Sequence, residues 1–308
     1  MANPRAPTSA ASALKRLVIV PAFNERASVR RVVQQLTRAL PGFDVIVIDD
    51  GSTDDTVRQV PPGTTVVTLP FNLGIGGAMQ TGYRYAALHG YDIAVQVDGD
   101  GQHRPSEVKR LVEELERSKL DLVVGSRFLK PSGYKQTLVR LGGAWFLRSL
   151  IYWLTGLVMT DCTSGFRAVN RRVIRAFAHW YPEDYPEPEV IVLLHRAGYR
   201  ISELSVRMRR RRGGRSSINV LGGLFYVLKV TVCLLLDLAR EPWPLGKVVD
   251  HVLLDGPDPV PHPVVAPGAP RGYPKPPQLG GSEPVPEPVP GGLRWDASSA
   301  GHSQTSHL

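Results

Sequence analysis

Val95-Gln96-Val97-Asp98-Gly99-Asp100-Gly101-Gln102-His103 reads as a buried strand that breaks at its carboxyl end. Apolar residues alternate up to Asp98, as in a strand entering a sheet, and Gly99 and Gly101 then end it. Asp98, Asp100 and Gln102 follow one another at every second position across the break. In a bent loop such a set can converge on one point. Hard divalent cations such as Mg²⁺ or Mn²⁺ take oxygen ligands and are usually held by few carboxylates together with substrate phosphates. A polar chain reversal uses the same Asp and Gly residues for turning alone, so the neighbouring stretches must decide between the two readings.

Upstream, Leu17-Val18-Ile19-Val20 is a continuously apolar run that suits a strand buried on both faces, and it ends at Pro21-Ala22-Phe23-Asn24-Glu25. Ser28 to Leu40 reads as a helix with Val29, Val32, Val33 and Leu36 on one face, stopped by Pro41-Gly42. Val45 to Ile48 is a second buried strand, ending in Asp49-Asp50-Gly51-Ser52. Asp54 to Gln59 reads as a short helix and Thr65 to Leu69 as a third strand. Alternating strands and helices predict a parallel α/β sheet with right-handed crossovers. Ligands of such sheets bind outside the carboxyl ends of the strands. Pro21 to Glu25, Asp49 to Ser52 and Asp98 to Gln102 all fall there, so one crevice can collect them.

Phe71-Asn72-Leu73-Gly74-Ile75-Gly76-Gly77-Ala78 invites a dinucleotide reading, but the glycine spacing fails and the segment follows the third strand rather than the first. A glycine-rich approach to a helix over Gly77 to Leu88 fits better, with small residues admitting a ligand or another backbone.

These stretches, in this order and at domain-scale spacing, resemble the inverting nucleotide-sugar glycosyltransferases of family 2, which have the GT-A fold. The likeness rests on Pro-Ala-Phe-Asn-Glu, Asp-Asp-Gly-Ser-Thr-Asp, Asn72-x-Gly74 and Asp98-x-Asp100, and covers roughly Leu17 to Arg215. It implies an α/β fold with a mostly parallel central sheet flanked by helices. It also implies that Pro21, Ala22, Asn24, Glu25, Asp49, Asp50, Asn72, Gly74, Gly77 and Asp98 line the nucleotide-sugar pocket, with Asp49 or Asp50 on the base or ribose. Asp98 and Asp100 would hold Mg²⁺ or Mn²⁺ on the diphosphate of a UDP- or GDP-sugar.

The second half narrows the resemblance. Gly125-Ser126-Arg127-Phe128, Asp161-Cys162-Thr163-Ser164-Gly165-Phe166-Arg167 and a late Arg-x-x-Gly-x-Ser segment are similar to those of polyprenyl-phosphate (dolichol-phosphate type) mannosyl- and glucosyltransferases. That subgroup implies Gln102 as a further contact to the metal, and Arg127, Ser164, Arg167, Arg212 and Ser216 as phosphate and acceptor contacts. The chemistry is consistent, since two phosphorylated substrates bring several negative charges into one cleft and guanidinium forks bind phosphate bidentately. Surface ion pairing is the plainer alternative for Arg127 and Arg167. The usual late lysine is absent, the chain reading Gly214-Arg215-Ser216-Ser217, and no Gln-x-x-Arg-Trp marks a processive synthase.

The catalytic set expected from this is Asp100 and Arg127, joined by Asp161 or Glu189 as general base if the acceptor is a neutral hydroxyl. Glu189 lies in the acidic run Tyr185-Pro186-Glu187-Pro188-Glu189, ahead of a helix over Val190 to Ala197. Its carboxylate also suits a helix N-terminus without any chemistry.

The 308 residues suffice for one large domain or two small ones. Residues 1–13 read as a disordered leader without the apolar core of a signal peptide, 14–217 as the transferase domain, 218–241 as an amphipathic juxtamembrane helix, and 242–308 as a Pro/Gly-rich disordered tail. Leu141 to Leu157 reads as a second apolar helix, on the acceptor side or interfacial. Cys162 and Cys233 lack metal-ligand spacing and are too few for a disulfide framework. Net charge is +9, much of the excess lying in the arginine run from Arg207 to Arg215. A basic run followed by Ile218 to Leu238, which carries Lys229 and Asp237, suggests a protein held on the cytoplasmic face of a membrane, on the lipid itself or on a small membrane subunit. A nucleic-acid-binding protein would explain the charge, but leaves the ordered carboxylate motifs without a role.

Overall fold

The computed structural model describes residues 13–129, 138–183, 186–209 and 220–239. The leader, Tyr185, the part of the arginine run that holds Arg212, Ser216 and the proline-rich tail lie outside the described residues.

Strands β1 (Arg16–Ala22), β2 (Phe43–Asp49), β3 (Thr65–Thr68) and β4 (Ile93–Gln96) alternate with helices α1 (Val29–Ala39), α2 (Thr56–Gln59) and α3 (Gly74–Leu88). Then follow α4 (Pro105–Arg117), β5 (Leu122–Ser126), α5 (Leu138–Thr155), β6 (Arg167–Asn170), α6 (Arg171–His179), α7 (Pro186–Arg196), β7 (Ile201–Ser205) and α8 (Val220–Ala239). The strands form one seven-stranded sheet in the order β3-β2-β1-β4-β6-β5-β7. All pairings are parallel except those of β6, which runs antiparallel to both β4 and β5.

The pattern of side chains explains this sandwich. Along β1, Leu17 and Ile19 face one way and Val18 and Val20 the other, and all four are buried. On the first face they meet Met79 and Tyr83 of α3, Phe177 of α6 and the apolar run of α7. On the second face they meet Val29, Val32, Val33 and Leu36 of α1 and Leu111 and Leu115 of α4. Burying each such side chain stabilises the fold by about 1.5–3 kcal/mol before chain entropy is set against it. β4 is buried along its whole length, Gln96 included, rather than on alternate residues.

Several helices differ from the sequence reading: α5 runs from Leu138 to Thr155, and α7 starts at Pro186, so that Glu187 and Glu189 lie in its first turn rather than ahead of it. Helix α3 starts at Gly74, not at Gly77. Its glycines admit another backbone: a Cβ on Gly76 would sit 2.1 Å from the Glu183 carbonyl oxygen. Gly76 N–H donates to that same oxygen at 3.1 Å, so only glycine fits here. Helix α8 is not a simple two-faced helix. Val230 and Leu234 are buried in the core, with Tyr226 and Val227 packed beside them. Leu228, Val232, Leu235 and Leu236 point outward. The helix therefore closes the core with one apolar face and exposes another. Among the described residues, no helix is long and apolar enough to cross a membrane.

Candidate active site

The carboxyl ends of β1, β2 and β4 meet as expected, and side-chain-to-backbone bonds sew them together. The Asn24 side-chain oxygen accepts from Thr53 N–H at 2.9 Å, and Asn24 N–H donates to Ser52 Oγ at 3.0 Å. Glu25 N–H donates to Thr56 Oγ1 at 2.8 Å, and the Glu25 carboxylate accepts from the Ser28 hydroxyl. Asn24 adopts a positive φ of 55°, which asparagine tolerates better than most residues. A Cβ at Gly99 would lie 3.1 Å from the Pro21 carbonyl oxygen, so the break after β4 packs directly on the Pro21 to Glu25 turn, beside Ala22.

Asp49 and Asp50 are buried, at 1% and 4% exposure. Asp49 accepts from Ser52 N–H at 3.3 Å, and Asp50 from Leu73 N–H at 2.7 Å. Burial raises the Asp50 carboxyl above its ordinary range, against the lowering effect of the Leu73 and Gly74 N–H groups. Both carboxylates thus brace the crevice wall. Asn72 does the same one turn later, accepting from Gly74 N–H at 3.1 Å. Phe23 and Phe71, at the same ends of β1 and β3, keep much of their rings exposed. The sequence reading did not single them out, because an isolated aromatic in a turn carries no pattern.

Beside this crevice lies a cavity of about 190 Å³, lined by Gln96, Asp98, Gln102, His103, Arg127, Thr163, Ser164, Gly165, Glu187, Ile75 and Met208. The loop after β4 supplies its oxygen donors. Asp100 Oδ1 accepts from Gln102 N–H at 2.9 Å, folding the loop back on itself. Gln102 is tied to Arg209, whose N–H donates to its carbonyl at 2.8 Å. The Asp98 side chain is 39% exposed. Among the described residues, no cluster of three or more His, Cys, Asp or Glu side chains could hold a metal. Asp98 and Gln102 line the cavity and Asp100 does not; two carboxylates and an amide are the donor types that a hard cation such as Mg²⁺ takes alongside water and substrate phosphate.

Arg127 lines the same cavity and is aligned by Asp161. Its Nε donates to Asp161 Oδ2 at 2.6 Å and its Nη2 to Oδ1 at 2.7 Å, and its backbone N–H reaches the same carboxylate. Glu203 of β7 holds the turn beneath, accepting from Thr160 N–H at 2.6 Å and Asp161 N–H at 2.7 Å. Asp161 is therefore not placed as a base: it is buried and both oxygens serve Arg127. Ser164 is buried too, its hydroxyl donating to the Gly125 carbonyl at 2.7 Å.

Arg167 departs from the phosphate-contact expectation. It is fully buried at the start of β6, its Nη2 donating to the Ser164 and Glu187 carbonyls at 2.7 and 3.3 Å. This guanidinium does not line the cavity, and its Nε and Nη1 are buried without a hydrogen-bond partner among the described residues. Glu189 is buried and does not line the cavity, whereas Glu187 does. Burial pushes the Glu187 carboxyl above its ordinary range, with Arg167 pulling the other way and Asp98 adding to the rise. Glu187 and Glu189 lie in the same acidic run, and sequence alone could not choose the one that turns inward.

A larger cleft, about 490 Å³, lies at the other end of the sheet, between the amino ends of β1 to β3. Leu17, Phe43, Thr65 and Tyr91 line it.

Known proteins resemble this chain in sequence and in fold. The Glycosyl transferase family 2 pattern matches residues 17–177. The undecaprenyl-phosphate mannosyltransferase of Micrococcus luteus is 33% identical over 175 residues, covering 53% of this chain and 69% of that protein. The polyprenol monophosphomannose synthase of Mycolicibacterium smegmatis is 30% identical over 176 residues, covering 52% of this chain and 63% of that protein. Glucosyl-3-phosphoglycerate synthase of Mycobacterium tuberculosis, crystallised with Mn²⁺, UDP-glucose and phosphoglyceric acid, superposes with a TM-score of 0.54 at 22% identity, covering 73% of this chain and 79% of that one. That last likeness concerns the fold, an α/β GT-A sheet flanked by helices. With the family pattern spanning more than half its length, the chain belongs to glycosyl transferase family 2.

Proposed function

We propose that this glycosyltransferase moves a sugar from a UDP- or GDP-sugar to a polyprenyl phosphate, with inversion at the anomeric carbon. The observation that carries the reading is the cavity of about 190 Å³ at the sheet's carboxyl ends, whose lining includes Asp98, Gln102, Arg127 and Ser164. The relatives named for undecaprenyl-phosphate and polyprenol mannosyl transfer support the acceptor class.

Asp98, Asp100 and Gln102 would hold Mg²⁺ or Mn²⁺, and a cation bound there supplies positive charge to the departing diphosphate. Arg127, held rigid by Asp161, presents a cation to the acceptor phosphate without having to reorganise. A phosphate oxygen is already anionic, so it attacks in line without a protein base. A second reading is favoured by one observation: the Glu187 carboxyl lines the cavity with an affinity for protons raised by burial. That suits a general base toward a sugar hydroxyl. The two are separated by a screen of UDP- and GDP-sugars with Mg²⁺ or Mn²⁺, with and without polyprenyl phosphate. The first reading expects donor consumption that depends on the lipid phosphate; consumption supported only by sugar acceptors would favour the second.

A lipid acceptor would put the chain at a membrane, and we propose the cytoplasmic face. Helices α5 and α8 pack on each other, Gly143 lying against Val227. Both expose apolar residues: Trp145, Tyr152 and Trp153 (86% exposed) from α5, and Leu228, Val232 and Leu236 from α8. Trp and Tyr favour the headgroup level of a bilayer. Full-length protein should float with anionic vesicles, and Trp153→Glu should reduce that recovery; equal recovery of both would remove this face from the membrane account.

A further inference from the structure

Asp98 is the ligand candidate nearest the strand, and its position is fixed by His103. Asp98 N–H donates to His103 Nδ1 at 3.1 Å. The accepting nitrogen carries no proton, so the ring's proton sits on Nε2, 3.7 Å from Asp98 Oδ2. The imidazole is 4% exposed. It stacks on Phe166 with centroids 4.4 Å apart and planes at 18°. Phe166 is anchored in turn: its carbonyl accepts from Gly125 N–H at 2.7 Å. On the other side, Gln96 Nε2 donates to Asp98 Oδ1 at 3.3 Å. Gly165 closes against that pair, where a Cβ would lie 2.7 Å from Gln96 Nε2. The ring therefore touches two segments at once. One is the loop that offers carboxylates to a cation; the other leads from Asp161 through Ser164 to Arg167.

We propose that His103 is a positioning residue with two separable jobs. Its Nδ1 holds the Asp98 backbone so that the carboxylate stays aimed into the cavity. Its ring, through Phe166, keeps the loop of Asp98 to Gln102 in register with the segment that aligns Arg127. The proposal rests on the reading of Asp98 as a cation ligand. Groups that orient a metal ligand typically alter metal affinity about 10–100-fold when removed.

The two jobs call for two substitutions in the full chain. His103→Phe keeps a ring on Phe166 but offers no acceptor to Asp98. His103→Asn keeps an acceptor near the Nδ1 position but gives up the stack. Mn²⁺ affinity in the presence of nucleoside diphosphate, read from the free-ion electron paramagnetic resonance signal, should fall about tenfold or more in His103→Phe. It should stay within about threefold of wild type in His103→Asn, whose loss should appear instead as a raised KM for polyprenyl phosphate. Unfolding midpoints show whether each variant is folded; if His103→Phe is not, His103→Met, which likewise offers Asp98 N–H no nitrogen or oxygen acceptor, takes its place. A folded His103→Phe that binds Mn²⁺ like wild type, or a folded His103→Asn that loses tenfold, overturns the role of His103. Asp98→Asn is the control. If it too binds Mn²⁺ like wild type, the cation-site reading falls and the proposal with it.

Discussion

The two ends of the sheet differ in an instructive way. At the amino ends lies the larger hollow, about 490 Å³, and at the carboxyl ends the smaller, about 190 Å³. The larger is a mixed surface, with Leu17 and Phe43 beside Gln34, Arg38 and Asp44, and the Tyr91 hydroxyl donates to Asp44 at 2.8 Å. The smaller collects Asp98, Gln102, Arg127 and Glu187, from elements far apart in the chain. Parallel strands point all their carboxyl ends one way, so loops that follow different strands converge there and nowhere else. On the proposed reading, strand direction and not the size of the hollow decides where the chemistry lies.

If that contrast is right, the largest effects come from the smaller cavity. Asp98→Asn and Asp100→Asn should each slow sugar transfer at limiting Mn²⁺ by roughly 100-fold or more, the scale of losing one charge-stabilising element. Near-wild-type rates in both would break the contrast outright. Next comes Arg127. Arg127→Ala leaves Asp161 buried without its partner and costs roughly 3–5 kcal/mol of stability, so Arg127→Lys is more informative. Lysine keeps the charge but not the fork. Transfer should fall about tenfold, equivalent to about 1.4 kcal/mol at the transition state. Full activity of the lysine variant would mean that Asp161 aligns nothing that matters to turnover.

Glu187 gives a subtler signal. Its folded carboxyl binds protons more tightly than the ordinary 4.5, chiefly through burial. The folded state therefore holds the extra proton between 4.5 and the raised value, and its contribution to stability declines as pH rises through that window. Glu187→Gln should flatten this decline in thermal-unfolding curves; an unchanged slope would place the carboxyl in water. The smallest effect belongs to the amino-end hollow. Tyr91→Phe should cost about 1 kcal/mol of stability through the lost hydrogen bond, with transfer rates unchanged. A large loss of activity there would mean that the bigger hollow takes part in catalysis.

Legibility in the sequence followed the same divide. The strands β1, β2 and β3, helix α1 and the three turns that meet at the crevice could be read, because continuous apolar runs and Pro, Gly and Asp turns are local signals. β6 was not legible: Arg167 to Asn170 offers only Ala168 and Val169 as apolar residues, and its antiparallel course depends on neighbours far away in sequence. Arg167 shows the cost of motif reasoning alone. An arginine after Ser-Gly-Phe looks like a phosphate ligand, yet pairing β6 between β4 and β5 buries it completely. Asp161 could be read as a carboxylate but not as the partner of Arg127, a relation across 34 positions. His103 stood inside the decisive stretch and still showed no role, since its bond to Asp98 requires the loop to close first.

The most direct measurement is the product itself. Purified full-length protein is incubated with Mn²⁺, a radiolabelled UDP- or GDP-sugar and polyprenyl phosphate, and the label is followed into the organic phase, with Asp98→Asn alongside. Label in a polyprenyl-phosphate sugar, dependent on Mn²⁺ and lost in Asp98→Asn, is the expected result. No lipid-linked label from any donor, with the same preparation glycosylating a sugar hydroxyl, would contradict the account.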